Sequence, residues 1–399
     1  MKKSVILLII IYIAFISLGL PDSVLGSAWP SMYGGFGVPL SYAGILTMIT
    51  AGCTIISSVF SARLIKRFGT GLVTAVSVLM TAVALLGYAN ATRFYQLVIL
   101  AVPYGLGAGS VDVALNHYVT VHYKARHMSW LHCFWGVGAT AGPLIMGAWL
   151  GAGKSWNIGY MTLAIIQLVL AAGMFVTLPL WGKNDSHKET GDGEQEGATN
   201  EDGTNEGISK YIGKKGTLSA LIAFYAYNAL EATAGIWAAS YLVLGRSIAG
   251  ETAAKWASLF YMGITGGRLI SGFITERFGD KNMIRLGHGV IALGLLLMVL
   301  PITDLGALLG LILIGVGCAP IYPCLIHQTP ELFGKEKAQS MIGIQMASAY
   351  IGCTLMPPLF GIIGDNISIH FYSVYLIVML ALMFVTSEYL NRMRVNKNR

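Results

Sequence analysis

Apolar runs long enough to cross a bilayer follow one another through this chain, and few folds can accommodate them. A spanning helix needs about 20 such residues. Hydrocarbon offers the backbone no hydrogen-bond partners, so these runs predict helices rather than open strands. Twelve are legible, at 4–28, 41–62, 71–89, 94–121, 129–151, 157–181, 217–244, 253–275, 283–301, 305–328, 339–363 and 369–390. The chain is 55% hydrophobic and only 11% charged, far from soluble averages. It reads as an all-α membrane protein with twelve transmembrane helices.

One stretch breaks the pattern. Between Lys183 and Gly216 lie eight of the 19 acids, among Gly, Asn, Ser and Thr, a composition that cannot bury a core. The expected organisation is therefore an N-terminal six-helix bundle (1–182), a disordered acidic cytoplasmic linker (183–216) and a C-terminal six-helix bundle (217–399). Placing both termini and the even-to-odd loops in the cytoplasm puts 21 of the 26 Lys and Arg residues there, as the positive-inside rule requires. The net charge of +7 is then a topology signal rather than evidence for nucleic-acid binding. A plasma-membrane protein with cytoplasmic termini is expected. The first segment begins Met1-Lys2-Lys3 like a signal peptide, but its apolar stretch is longer than a usual signal core, and Asp22 falls near its far end. It is expected to be retained as the first helix.

The five cysteines, Cys53, Cys133, Cys318, Cys324 and Cys353, show no paired spacing, and His117, His122, His127 and His132 step by five and so rotate around a helix. Neither a metal site nor a cofactor is expected. No set of nucleophile, base and orienting group supports an enzyme.

Three acids stand inside the apolar runs away from their last turns: Asp22, Asp112 and Glu231. A carboxylate in hydrocarbon costs several kcal/mol, so a chain that keeps three has set them on a hydrated path or against partners. Removal from water disfavours the charged form, which lets such a group exchange a proton during a transport cycle. Gly109, Asp112, Asn116 and Thr120 fall at three- and four-residue steps, which predicts one polar face along the fourth segment, turned toward a cavity. Asn116, His132, Asn228 and Gln345 could hydrogen-bond a solute, and Trp135 and Trp237 could stack on a sugar ring. Pro320 and Pro323 are expected to break the tenth helix, while Met341, Gln345, Ser348 and Gly352 share a side of the eleventh.

The halves echo each other: Lys66-Arg67-Phe68-Gly69 recurs 210 residues later as Glu276-Arg277-Phe278-Gly279. The stretch from Gly272 to Lys281 resembles the loop signature Gly-x-x-x-Asp-Arg-x-Gly-(Arg/Lys) of the major facilitator superfamily, with Glu276 for Asp. In the first copy Ala62 and Lys66 replace the Gly and the acid. The resemblance implies two six-helix bundles with a midplane site between them, and gating roles for Arg67, Gly69, Arg268, Gly272, Glu276, Arg277 and Gly279. The run from Asp112 to Val121 resembles the fucose-proton symporter family, which carries Glu where Asp112 stands and generally Pro where His117 stands. Asp22-Ser23-Val24-Leu25 is similar to that family's acid near the outer end of helix 1. Asn228-Ala229-Leu230-Glu231-Ala232 with Gly235 resembles a Gly-Ala-Glu segment of sugar permeases, and Trp130–Phe134 resembles the Leu-His-Phe run of facilitators related to sodium-dependent glucose carriers. Gly138-Ala139-Thr140-Ala141-Gly142-Pro143 is similar to a motif of drug-proton antiporters, although small residues also mark close helix packing.

Together these imply a monomeric symporter that takes up a sugar or similar small polar solute. Asp112 would carry the proton, Asp22 would link substrate to protonation and Glu231 would set the cavity's charge. The alternative is proton-driven export of amphiphilic compounds through the same acids. Carboxylates serve sodium as well as protons, so the coupling ion stays open.

Overall fold

The computed structural model describes residues 2–123, 125–181, 216–300 and 304–397; apart from Gly216, the acidic linker lies outside them. The described residues form thirteen helices: α1 (Lys2–Asp22), α2 (Val24–Phe36), α3 (Tyr42–Phe68), α4 (Thr70–Ala89), α5 (Phe94–His122), α6 (Ala125–Gly151), α7 (Trp156–Thr177), α8 (Thr217–Ser240), α9 (Gly250–Val299), α10 (Asp304–His327), α11 (Thr329–Phe333), α12 (Lys335–Asn366) and α13 (Phe371–Lys397). Among them ten helical segments are long and apolar enough to cross a bilayer. The long helix α8 and the first limb of α9 fall outside that set, and they carry Asn228 and Glu231, and Lys255 and Arg268.

Two compact units emerge. The first takes in the described residues of Met1–Gln195 together with Ser247–Ser258; the second takes in those of Glu196–Arg246 and Leu259–Arg399. In the first unit α1 packs on α6, α3 on α5, and α4 on both α5 and α7. Its core gathers Ile11, Phe15, Val111, Leu115, Leu131 and Met174. In the second unit α8 packs chiefly on α12 and α13. Large side chains such as Val59, Val176 and Phe273 are exposed, as they are on a surface that lipid rather than water covers.

Three expectations about segment boundaries need correcting. The first span does not end at residue 28: after Asp22 and Ser23 the chain re-enters helix as α2 and continues to Phe36. Gly26, Ser27 and Ala28 are buried within α2, and the stop is made by Gly37 in the left-handed conformation at φ 64°. The loop expected between 275 and 283 is one residue long, because α9 is helical throughout except at Gly279, with φ 73° and ψ 155°. Gly69, with φ 79° and ψ 155°, joins α3 to α4 in the same way. That backbone region is essentially open to glycine alone. The tenth helix is not broken either: α10 runs from Asp304 to His327 with Pro320 and Pro323 inside it. Proline removes one hydrogen bond from the ladder, and neighbouring helices can hold the remainder in place.

Candidate functional site

Asp22 ends α1 at the middle of the first span, not near its outer end as the shorter segment had suggested. The interruption is fixed from outside the helix, since the Ser23 hydroxyl donates to the carbonyl of Ala139 at 2.6 Å. Both Asp22 oxygens are held by neutral donors. The Tyr104 hydroxyl reaches Oδ1 at 3.1 Å and the Trp135 indole N–H reaches Oδ2 at 2.9 Å. The carboxylate lies in a narrow cleft that it shares with Ser17, Leu18, Val78, Thr81, Tyr104, Ala108 and Val111. Its free space is that of about one water molecule.

Asp112 lies on α5 within the electrostatic reach of Asp22. Its Oδ1 accepts from the Asn116 amide at 2.9 Å, and the same amide nitrogen also donates to the Asp112 carbonyl at 2.9 Å. The two residues thus form one unit on successive turns. Gly109 does not share their outlook. A methyl added there would come within 2.4 Å of the Thr54 carbonyl, so this glycine lets α5 meet α3. The face that reaches the cleft is instead Tyr104, Ala108 and Val111. The Thr120 side chain lies outside the described residues.

On α6 the Trp135 indole is engaged by Asp22, while the His132 ring meets the edge of Phe15 at 5.8 Å between centroids. The small residues beside them form a seam. Cβ atoms built on Gly138 and Gly142 would come within 2.2 Å of the Ile16 carbonyl and 2.1 Å of the Leu20 carbonyl, and one on Gly19 within 2.0 Å of the Trp135 carbonyl. The antiporter-like glycine motif is therefore where the α1 and α6 backbones touch. That contact positions Trp135 against Asp22.

In the second unit Glu231 on α8 faces Arg268 on α9, with 3.8 Å between Oε1 and the guanidinium and both side chains about one-quarter or less exposed (20% and 24%). One turn before Glu231, Tyr227 is fully buried, and its hydroxyl interacts with both Glu231 and Arg268. Its ring lies 5.7 Å from that of Tyr322 on α10. Asn228 donates back to the Phe224 carbonyl at 2.9 Å. Trp237 and Gln345 take packing positions. Trp237 is fully buried, with its indole N–H on the Pro357 carbonyl at 2.8 Å and its ring against Phe360. Gln345 is 2% exposed and accepts from the Thr329 hydroxyl at 3.0 Å. The α12 side that carries Gln345 is a seam against α8, with Ser348 donating to the Leu221 carbonyl and Gly352 lying against that of Tyr225.

The loop residues have separate fates. Arg67 is exposed, with its guanidinium 5.3 Å from the Phe68 ring centroid. Arg277 and Gly272 are exposed, and a Cβ on Gly272 would meet nothing within 4 Å, so it does not serve the close helix approach expected of it. The Glu276 side chain lies outside the described residues. Beside Gly279, Asp280 instead makes a hydrogen-bond contact of 2.7 Å with the His327 ring. Among the described residues no cluster of His, Cys, Asp and Glu could hold a metal ion.

Sequence reading missed Tyr104 and Tyr227. Both were within reach, since Tyr104 lies two helical turns before Asp112 and Tyr227 one turn before Glu231.

Long apolar helices that keep acids against built partners mark a multi-pass membrane protein. The sequence matches the Major Facilitator Superfamily over residues 11–338 and 220–392, and the chain belongs to that family. It is 22% identical over 409 residues to Bypass of stop codon protein 6 of Saccharomyces cerevisiae (strain ATCC 204508 / S288c), covering 96% of this chain and 81% of that protein. It is 20% identical over 356 residues to the glucose/mannose transporter GlcP of Bacillus subtilis (strain 168), covering 88% and 86%. In fold it is similar to the crystal structure of the nucleoside transporter NupG, with a TM-score of 0.76 at 12% identity over 96% of this chain and 98% of that one.

Proposed function

We propose that this transporter takes up a sugar or similar small polar solute together with protons, by alternating access, as a monomer in the plasma membrane with both termini cytoplasmic. The observation that carries the reading is Asp22: a carboxylate at a helix break, held by Tyr104 and Trp135 beside a narrow cleft and within the electrostatic reach of Asp112. A group so placed can contact a hydroxylated solute and feel a second acid's protonation at once. Substrate and proton then favour each other's binding, which is all that coupling requires. Likeness to the glucose/mannose transporter GlcP supports the substrate class.

In this reading Asp112 takes up the proton and Asn116 steadies it, while Asp22 joins solute to proton. Glu231 sets the charge of the second unit. Trp135, His132 and Asn228 touch the solute, while Trp237 and Gln345 hold their helices together. Gly69 and Gly279 are the hinges beside the basic loops, with Arg67, Arg277 and Glu276 flanking them, and Arg268 balances Glu231.

The test is accumulation of labelled sugar by proteoliposomes with acid outside. Accumulation above equilibration that collapses with a protonophore is the expected result. Accumulation driven by sodium alone would overturn the coupling ion, and extrusion of amphiphilic cations against proton flow would overturn uptake.

A further inference from the structure

Pro21 removes one bond from the ladder of α1, and a side chain from another helix stands in for it. Proline has no N–H, so the Ser17 carbonyl, four residues earlier, loses the helical hydrogen bond it would otherwise accept. The side-chain amide of Gln167 on α7 donates to that carbonyl at 2.6 Å. A carbonyl can only accept, which fixes the orientation of the amide and leaves its Oε1 to accept in turn from the Ser17 hydroxyl at 2.5 Å. Gln167 is fully buried and gives both ends of its amide to one residue.

The second of these bonds decides what Ser17 offers to the cleft beside Asp22. Its hydrogen is directed at α7, so toward the cleft Ser17 can only accept. The other hydroxyls there are engaged as well: Thr81 donates to the Val78 carbonyl at 2.8 Å and Tyr104 to Asp22 at 3.1 Å. With Asp22 ionised, the side chains around the cleft bring acceptors and no free donor. What such a set calls for is a hydrogen on Asp22 itself, or on the water for which the cleft has room. The titratable groups acting on Asp22 are Tyr104 and Asp112, both of α5, while Thr81 of α4, Trp135 of α6 and Gln167 of α7 are neutral.

We propose that Gln167 is a positioning residue of the Asp22 site: it pegs α1 at Pro21 and makes the Ser17 oxygen the acceptor for the proton that Asp22 carries. Resting on the proton-coupled reading, this role deepens it, because Asp22 gains a partner in each of its states. Ionised, it accepts from Tyr104 and Trp135. Protonated, its O–H donates to Ser17 through the water that fits in the cleft. Only a proton is added, and the carboxylate's negative charge is cancelled. A Ser17 released by Gln167 would turn its hydrogen toward the carboxylate, favour the charged form and weaken the hold on the proton.

Infrared difference titration of the purified protein follows the C=O stretch of the protonated Asp22 carboxyl, assigned by its loss in Asp22→Asn. Gln167→Leu is expected to melt at a lower temperature and to protonate Asp22 only at more acid pH, displaced by about one pH unit, which is about tenfold in proton affinity. Pro21→Ala restores an N–H to the ladder, so Gln167→Leu/Pro21→Ala should recover most of the lost Tm and keep the acid displacement. Pro21→Ala alone should titrate as the wild type does. Failure of Pro21→Ala to restore the melting temperature would overturn the peg. A wild-type midpoint in the double variant, or an equal displacement in Pro21→Ala alone, would overturn the acceptor role. A wild type with no titrating Asp22 band would overturn it too, leaving Asp112 to carry the proton. If the band behaves as expected but labelled sugar is not accumulated with protons, the carrier reading falls while the hold of Gln167 on Ser17 and on the Asp22 proton stands.

Discussion

The two units handle an acid in a membrane helix differently. In the first, Asp22 is held by neutral donors, Tyr104 and Trp135, and Asp112 by the amide of Asn116. In the second, Glu231 faces a cation, Arg268. Neutral donors leave the carboxylate's charge in place and free to be cancelled by a proton. A cation cancels it already, so the acid and its partner leave no net charge within the helices.

The largest effect expected to sharpen this contrast is at Asp112. Asp112→Asn should leave counterflow exchange in place and reduce pH-driven accumulation to simple equilibration; full accumulation by this variant would remove Asp112 from the proton step.

Next in size is the seam that carries Trp135 to Asp22. Gly138→Leu forces a side chain against the Ile16 carbonyl, where backbone rather than a flexible group must yield. A loss of about 3 kcal/mol or more is expected, seen as a collapse of monodisperse yield in detergent. Normal yield would mean that the α1 and α6 backbones can separate.

The hinges should break the contrast, because there the units agree. Gly69→Ala and Gly279→Ala each place a side chain in a backbone region reserved for glycine and should cost about 1–3 kcal/mol, lowering Tm by similar amounts. Unequal losses would show that the two hinges bear different loads.

Trp135→Phe removes one charge-assisted hydrogen bond from Asp22 and should weaken solute binding by about 1.5–3 kcal/mol, read by isothermal titration. The smallest effect is expected for His327→Ala. Its ring is 81% exposed, and exposed ion pairs contribute about 0–1 kcal/mol, so unfolding should barely move.

Much of the architecture was legible because hydrocarbon imposes one rule on every segment. Spans were readable from length and apolarity, and the echo of Lys66–Gly69 in Glu276–Gly279 marked two turns whose glycines share one backbone conformation. The acids were legible for the same reason, since a carboxylate stands out in an apolar run. Their partners were harder to see. Trp135 was read as a stacking surface and proves to be an indole donor to Asp22, while Tyr104, the other donor, was not singled out. Gly109 fell on the expected polar face by spacing, yet it serves a helix crossing. Periodicity assigns residues to a face but does not say what the face meets.

The amino-acid order alone determined that this chain is a bundle of membrane helices and which acids stand inside its apolar runs. Those properties follow from local chemistry: hydrogen-bond satisfaction in an apolar solvent. Only the tertiary structure decided that the first span breaks beside Asp22, that an indole on α6 reaches it, and that Glu231 stands opposite a guanidinium. Such pairings join residues far apart in sequence, through helix crossings set by a few small residues, and no local preference encodes the distance between them.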